Sequence, residues 1–197
     1  MTVICGLHLA GVGTWIAADS RATAGQHVRP YPVQKWTERG PWYIGVTGDW
    51  RTATLIRGAE QIGQCADARA VGDAVRKLLL DDGYIAGTGR GAKEFDNAIL
   101  IASPDGLWSL DTTFALAQVP NEIFMAHGSG REYALGAAFA LGVAGPDQRR
   151  VMYAAVDAAC KFDAGCGGEV FVKLLEQSRD TAPVRYVKTV DPSIVGY

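Results

Sequence analysis

Apolar positions fall in two rhythms along the chain. Near the start, Thr2 to Leu9 and Thr14 to Asp19 are short apolar runs joined by Ala10-Gly11-Val12-Gly13, a glycine-containing connection that predicts a β-hairpin. A stretch punctuated by Pro and Gly follows from Thr23 to Pro32, where Pro30 and Pro32 exclude a central strand. Gln34–Glu38 and Trp42–Val46 predict a second hairpin, turning through Arg39-Gly40-Pro41. After Asp49 the spacing changes. Leu55, Ile56, Ala59 and Ile62 recur at helical intervals, as do Val71, Ala74, Val75, Leu78 and Leu79, so two helices are expected. Gly83 to Ala92 is glycine-rich and predicts a loop. Asn97–Ser103 and Leu107–Asp111 form another hairpin around Pro104-Asp105-Gly106, and Ile123–His127 is a further strand. Helices are predicted over Arg131–Leu141 and Pro146–Lys161, the second with Pro in its first turn. Strands are predicted over Glu169–Leu175 and Arg185–Val190.

Paired strands, two helices, paired strands, two helices and late strands imply antiparallel sheets with helix pairs on their outer faces. The expected fold class is α+β, a four-layer αββα sandwich. A doubly wound sheet is excluded because it needs strand-helix alternation. No repeat of about 20–50 residues and no linker divides the chain, so residues 1–197 read as one domain.

Composition narrows the function classes. Hydrophobic residues make up 48% and charged residues 20%, the balance of a globular protein. With 19 Lys+Arg against 21 Asp+Glu the net charge is −2, so no nucleic-acid or anionic-membrane footprint is expected. No apolar run reaches the roughly 20 residues that span a bilayer, and the start lacks the basic and long apolar regions of a signal peptide. A cytoplasmic location is the expectation. Cys5, Cys65, Cys160 and Cys166 form no CxxC pair, and His8, His27 and His127 are scattered, so neither a metal nor a cofactor is expected.

Thr2 is the first candidate for chemistry. Cells generally remove an initiator Met that precedes a small residue, and removal of Met1 would leave a threonine carrying both a hydroxyl and a free α-amine. Such an amine has a reference pKa of about 7.7–8.0, close enough to neutrality to act as a base. Threonine with its own N-terminus is an established nucleophile and base pairing. Many proteins also begin Met-Thr with no catalytic consequence.

The surrounding motifs resemble those of proteasome β-subunits and the bacterial HslV peptidase, within the N-terminal-nucleophile hydrolases. Thr2-Val3-Ile4-Cys5-Gly6 is similar to the family's first strand, and Ala18-Asp19-Ser20-Arg21-Ala22-Thr23 to the segment after its hairpin. Lys35, in Val33-Gln34-Lys35-Trp36, stands where the family has a lysine that meets that aspartate. Gly48 ends the strand Trp42-Tyr-Ile-Gly-Val-Thr-Gly and matches the family's oxyanion-binding glycine. Gly128-Ser129-Gly130 resembles its Gly-Ser-Gly before a helix. Asp163-Ala164-Gly165-Cys166-Gly167-Gly168 resembles its Asp-x-x-Ser-Gly-Gly, with Cys166 where the family has Ser. The motifs span roughly residues 2–175.

The resemblance implies a threonine peptidase working through an acyl-enzyme, with Thr2, Asp19, Lys35, Gly48, Ser129 and Asp163 at the catalytic centre. It places Ala22, Thr23, Val33, Val46 and Trp50 around the substrate. It also implies peptides or unfolded proteins as substrates, a homo-oligomeric ring enclosing the sites, and room for an ATP-dependent unfoldase as partner. Five Trp and apolar helix faces fit a chain with partner surfaces. A buried Lys35 ammonium would lower the pKa of the neighbouring amine, and Asp19 would supply its counter-charge. Simpler roles exist for each residue. Asp19 can start a turn, Lys35 can be an edge residue, Asp163 can belong to a loop, and Cys166 can be a small buried residue. Ser129-Gly-Arg-Glu132 also reads as a capping box. Two other functions remain open at this point, a catalytically silent ring or assembly subunit of the same fold and an amidase for small amides.

Overall fold

A computed structural model describes residues 2–24, 27–29, 31–83, 97–143, 145 and 147–177. The expected strand Arg185–Val190, most of the expected loop Gly83 to Ala92, and Pro146 lie outside the described residues.

Strands β1 (Val3–Leu9) and β2 (Gly13–Asp19) form the first hairpin. Two-residue strands β3 (Thr23–Ala24) and β4 (His27–Val28) pair with each other in a separate two-stranded sheet. Strands β5 (Trp36–Arg39) and β6 (Trp42–Val46) precede helix α1 (Trp50–Gly58), a 3₁₀ turn (Glu60–Gln64) and helix α2 (Ala68–Asp81). Strands β7 (Ile99–Ser103), β8 (Gly106–Leu110), β9 (Leu116–Gln118) and β10 (Phe124–Gly128) follow, then helices α3 (Arg131–Leu141) and α4 (Gln148–Phe162), and strand β11 (Val170–Glu176). One antiparallel sheet runs β10-β1-β2-β11 and the other β5-β6-β7-β8-β9.

Three buried layers follow from the strand period of two. On β1, Val3, Cys5, Leu7 and Leu9 pack with Ala134, Met152, Ala155 and Ala159 of α3 and α4. On β6 and β7, Trp42, Ile44, Val46, Ile99 and Ile101 pack under Ile56 of α1 and Val71, Val75 and Leu79 of α2. The intervening residues Ile4, Ile16, Tyr43, Leu100 and Leu107 meet between the sheets. Strands buried on both faces are near-continuous apolar runs, and the four layers are those expected. The sheets approach closely at two glycines: a Cβ on Gly6 would stand 2.7 Å from Leu107 Cδ1, and one on Gly45 2.9 Å from Ile4 Cγ2.

The structure departs from the periodicity at several places. The first helix ends at Gly58, Ala59 leaves helical geometry at φ −92° and ψ 80°, and Ile62 sits in the 3₁₀ turn. Ile56, Ala59 and Ile62 nonetheless reach the same core, which is why their spacing looked helical throughout. Helix α4 starts at Gln148, and Asp147 caps it by accepting from the Arg150 N–H at 3.0 Å. Strand β9 was not expected; it is a short edge strand, mostly exposed, and so lacks an apolar signal. No helix among the described residues is long and apolar enough to cross a membrane.

Candidate active site

The β1–β2 hairpin register pairs Ile4 with Ala18, which brings Asp19 at the end of β2 beside the start of β1. Asp19 is fully buried, and four donors converge on its carboxylate. The Thr2 hydroxyl donates to Oδ1 at 2.7 Å and the Val3 N–H at 3.0 Å. The Arg21 and Gly167 N–H groups donate to Oδ2 at 3.2 and 3.1 Å. A buried charge is tolerable only when it is hydrogen-bonded and paired, and this one is both.

Its partner is Lys35, 7% exposed, whose Nζ lies 3.9 Å from Asp19 Oδ1 and donates to the Arg21 carbonyl at 2.5 Å. Burial pushes the Lys35 pKa below the ordinary lysine value, against the opposing pull of Asp19. Lys35 is held from two sides: the Val33 N–H donates to the Ser20 carbonyl at 3.0 Å, and the Lys35 carbonyl accepts from the Val46 N–H at 3.2 Å. The second bond also ties it to the strand that leads to Gly48.

Gly48 follows β6 with φ 90°, a conformation that favours glycine. The turn around it is fixed by Thr47, whose N–H and hydroxyl both donate to the Ala98 carbonyl at 3.0 Å. Buried Asn97 accepts from the Asp49 N–H and donates to the Thr52 hydroxyl at 3.2 Å. Among the described residues the Gly48 N–H has no acceptor.

On the opposite side of Thr2, Ser129 does not cap α3. Gly130 is the cap residue, without any side-chain bond, and the Ser129 hydroxyl lies 3.5 Å from the Thr2 carbonyl oxygen and 4.0 Å from Cys166 Sγ. The capping box is overruled because Gly128, at φ 97°, turns the chain under Thr2, where a Cβ would stand 2.1 Å from the Thr2 oxygen. The Cys166 thiol donates to Asp163 Oδ2 at 3.3 Å, and the Gly165 N–H to Oδ1 at 2.8 Å. Burial raises the Asp163 pKa, but bonds from Ser129, the Gly165 N–H and Cys166 outweigh it and hold it below the ordinary carboxylate value. Burial, then the Asp19 and Asp163 charges, push the Cys166 thiol far up, so it stays protonated.

Thr2 opens on a cavity of about 120 Å³ lined by Ala22, Thr23, Lys35, Val46, Gly48 and Trp50, as well as Arg29, Asp49 and Ala53. Val33 lies outside it, on a larger adjoining groove of about 600 Å³ that shares Arg29 and Trp50. The structure therefore brings Thr2, Lys35 and Gly48 to one cavity, with Asp19 buried against Thr2 and Lys35, and Ser129 and Asp163 on the other side of Thr2. Sequence reasoning missed Arg29, Asp49, Ala53 and Asn97. Asp49 was findable as a helix cap before α1, where it accepts from the Arg51 N–H at 2.8 Å. Arg29 lies in an aperiodic stretch with no such signal.

No protein-family model and no curated protein sequence matches the chain. Solved structures do. Thiobacillus denitrificans BPH matches at 26% identity and TM-score 0.73, over 91% of this chain and 100% of that one. The same protein in complex with epoxomicin matches at 24% identity and TM-score 0.73, over 90% and 100%. Eukaryotic HslV from Trypanosoma brucei matches at 21% identity and TM-score 0.67, over 89% and 99%. With two antiparallel sheets between helix pairs and these structural matches over about nine-tenths of its length, the chain has the HslV-like, proteasome-type fold of the N-terminal-nucleophile hydrolases.

Proposed function

We propose that the chain is a threonine peptidase whose nucleophile is Thr2, freed by removal of Met1. The observation that carries this reading is the Thr2 hydroxyl held 2.7 Å from a buried carboxylate that also faces the Lys35 ammonium, at the wall of a cavity. The freed α-amine takes the hydroxyl proton as Oγ1 bonds the substrate carbonyl carbon. The Lys35 charge disfavours protonation of that amine beforehand and keeps it available as a base. The Gly48 N–H, which has no acceptor among the described residues, binds the developing oxyanion; a donor of this kind is worth about 2.7–4 kcal/mol in the barrier. The C–N bond then breaks, the amine returns its proton to the leaving nitrogen, and an acyl ester remains on Thr2. Water, deprotonated by the same amine, attacks the ester and restores the hydroxyl. Asp19 orients the hydroxyl and keeps Lys35 charged, while Ser129 and Asp163 order the chain behind Thr2.

The proposal extends to assembly. Tyr133, Leu135, Phe139 and Leu141 of α3, with Tyr153 and Phe162 of α4, are large apolar side chains left exposed, Phe139 at 89%. Exposed apolar side chains of this size support burial against another copy in a homo-oligomeric ring. Within that reading the substrates are peptides or unfolded proteins, an ATP-dependent unfoldase is the partner that would deliver them, and the cytoplasm is the compartment.

The test combines intact mass with peptide hydrolysis. Mature protein lacking Met1 is expected to cleave fluorogenic peptides, and Thr2→Ala to abolish cleavage. Epoxomicin, the molecule held by the Thiobacillus protein, is expected to inhibit. Undiminished hydrolysis by Thr2→Ala overturns the proposal.

A further inference from the structure

The groove beside the Thr2 cavity carries an uncompensated positive lining. Arg29, Arg39 and Arg57 all line it, and none of the three pairs with a carboxylate among the described residues. The lining carboxylate Glu38 is occupied by Lys173, whose Nζ donates to it at 3.1 Å. Arg39 and Trp36 line the groove too, and their buried Nε and Nε1 donors have no hydrogen-bond partner among the described residues.

Trp50 organises the end of this groove nearest Thr2. The Arg29 guanidinium lies 5.9 Å from its ring centroid and the Arg57 guanidinium 5.6 Å. Arg29 also donates to the Tyr31 hydroxyl at 2.6 Å and lies over that ring at 5.9 Å. Arg57 donates at 3.4 Å to the Gln34 carbonyl. Stacking restrains each planar fork while leaving N–H donors to bind carboxylate oxygens, the arrangement in which arginine recognises acids best. Arg29 and Trp50 line both cavities, so the groove adjoins the Thr2 cavity.

We infer that the groove selects acidic substrates: Arg29 and Arg57, arrayed on Trp50, bind Asp or Glu side chains of a peptide whose scissile bond lies at Thr2. This rests on the peptidase reading above and adds the substrate class. Glu38 stays with Lys173 and Asp49 with its helix N-terminus, so the lining offers an acidic peptide little opposing charge.

Two measurements test the inference. In the first, mature protein is assayed on peptide pairs that differ only in Glu against Gln near the cleaved bond. A kcat/KM preference of about tenfold for Glu is expected, the size of one charge-assisted contact. It should shrink with added salt and collapse in Arg29→Gln and in Arg57→Gln. The second needs no catalysis: a fluorescent Glu-rich peptide is titrated into Thr2→Ala protein by anisotropy, beside its Gln counterpart. Tighter binding of the Glu peptide, weakened about tenfold by Arg57→Gln, supports the groove whatever the hydrolysis assay gives. Equal binding of the two peptides overturns the inference and leaves Thr2 chemistry standing. Selective binding with no Thr2-dependent hydrolysis of any peptide overturns the peptidase and leaves the groove standing. Displacement of the Glu peptide by inorganic phosphate at equal charge concentration also overturns it, since the groove would then be a general anion site.

Discussion

The Thr2 hydroxyl donates to Asp19 Oδ1 at 2.7 Å, and that same oxygen is the one 3.9 Å from Lys35 Nζ. One carboxylate oxygen thus links the proposed nucleophile to the only cation among the buried polar residues described. Asp19→Asn removes the anion while Lys35 remains buried. Breaking a buried pair by removing one partner costs about 3–5 kcal/mol, and the 3.9 Å separation places this case near the lower end. Urea denaturation should show that loss, together with at least about a hundredfold fall in peptide hydrolysis, of the order lost when a preorganised catalytic contact is removed. If midpoint and rate both survive, Asp19 has no part in the site.

Lys35 gives stability a pH dependence of definite sign. Burial lowers its folded-state pKa, so between that value and the unfolded value near 10.5 the unfolded chain binds more protons. Stability therefore rises with pH through this window, and the penalty of burying the ammonium is fully present below it. Lys35→Met removes the titration. Unfolding free energies at pH 8 and pH 10 should show the wild type gaining on the variant as pH rises. Parallel profiles would mean that Lys35 titrates like a solvated lysine.

The sequence shows the first of these relationships more plainly than the second. A hairpin closed by Ala10-Gly11-Val12-Gly13 must set Asp19 opposite the start of β1, and β1, β6 and β7 announce burial on both faces by their unbroken apolar runs. Lys35 reaches Asp19 only through packing of one sheet on the other, which no local pattern encodes; the family motif located it. Ser129 shows the reverse error. Its capping signal is locally sound, yet the turn at Gly128 carries the hydroxyl under Thr2 instead. Arg29 and β9 lie in segments whose side chains are exposed, where periodicity carries no information.

Gly48→Ala tests the oxyanion site through the backbone. An alanine at φ 90° is strained by about 1–2 kcal/mol, and relief of that strain would rotate the N–H away from the substrate. The kcat should fall by about a hundredfold, the scale of losing one oxyanion donor, with a smaller change in KM. Gly58→Ala is the control: it ends α1, a Cβ there meets nothing within 4 Å, and alanine should stabilise by about 0.5–1 kcal/mol. Equal kinetics in the two variants would exclude a role for the Gly48 turn.

Cys166 is the residue best placed to compete with Thr2 as nucleophile, and its surroundings argue against it. The thiol is fully buried, donates to Asp163, and is kept protonated by burial and by two nearby carboxylates, whereas thiol chemistry requires the thiolate. A hydroxyl can make the same donation to Asp163, as a stronger hydrogen bond from a smaller atom. Cys166→Ser should therefore keep hydrolysis within about threefold and change stability by no more than about 1 kcal/mol, as expected for exchange of one hydrogen-bond donor for another. Iodoacetamide at pH 7 should leave native activity and the Cys166 mass unchanged. A nucleophilic Cys166 predicts the opposite on every count: activity abolished by Cys166→Ser, retained by Thr2→Ala, and lost on alkylation. The two variants assayed side by side decide which oxygen or sulfur carries the acyl group, because each variant removes one of the two atoms able to bond the substrate carbonyl carbon.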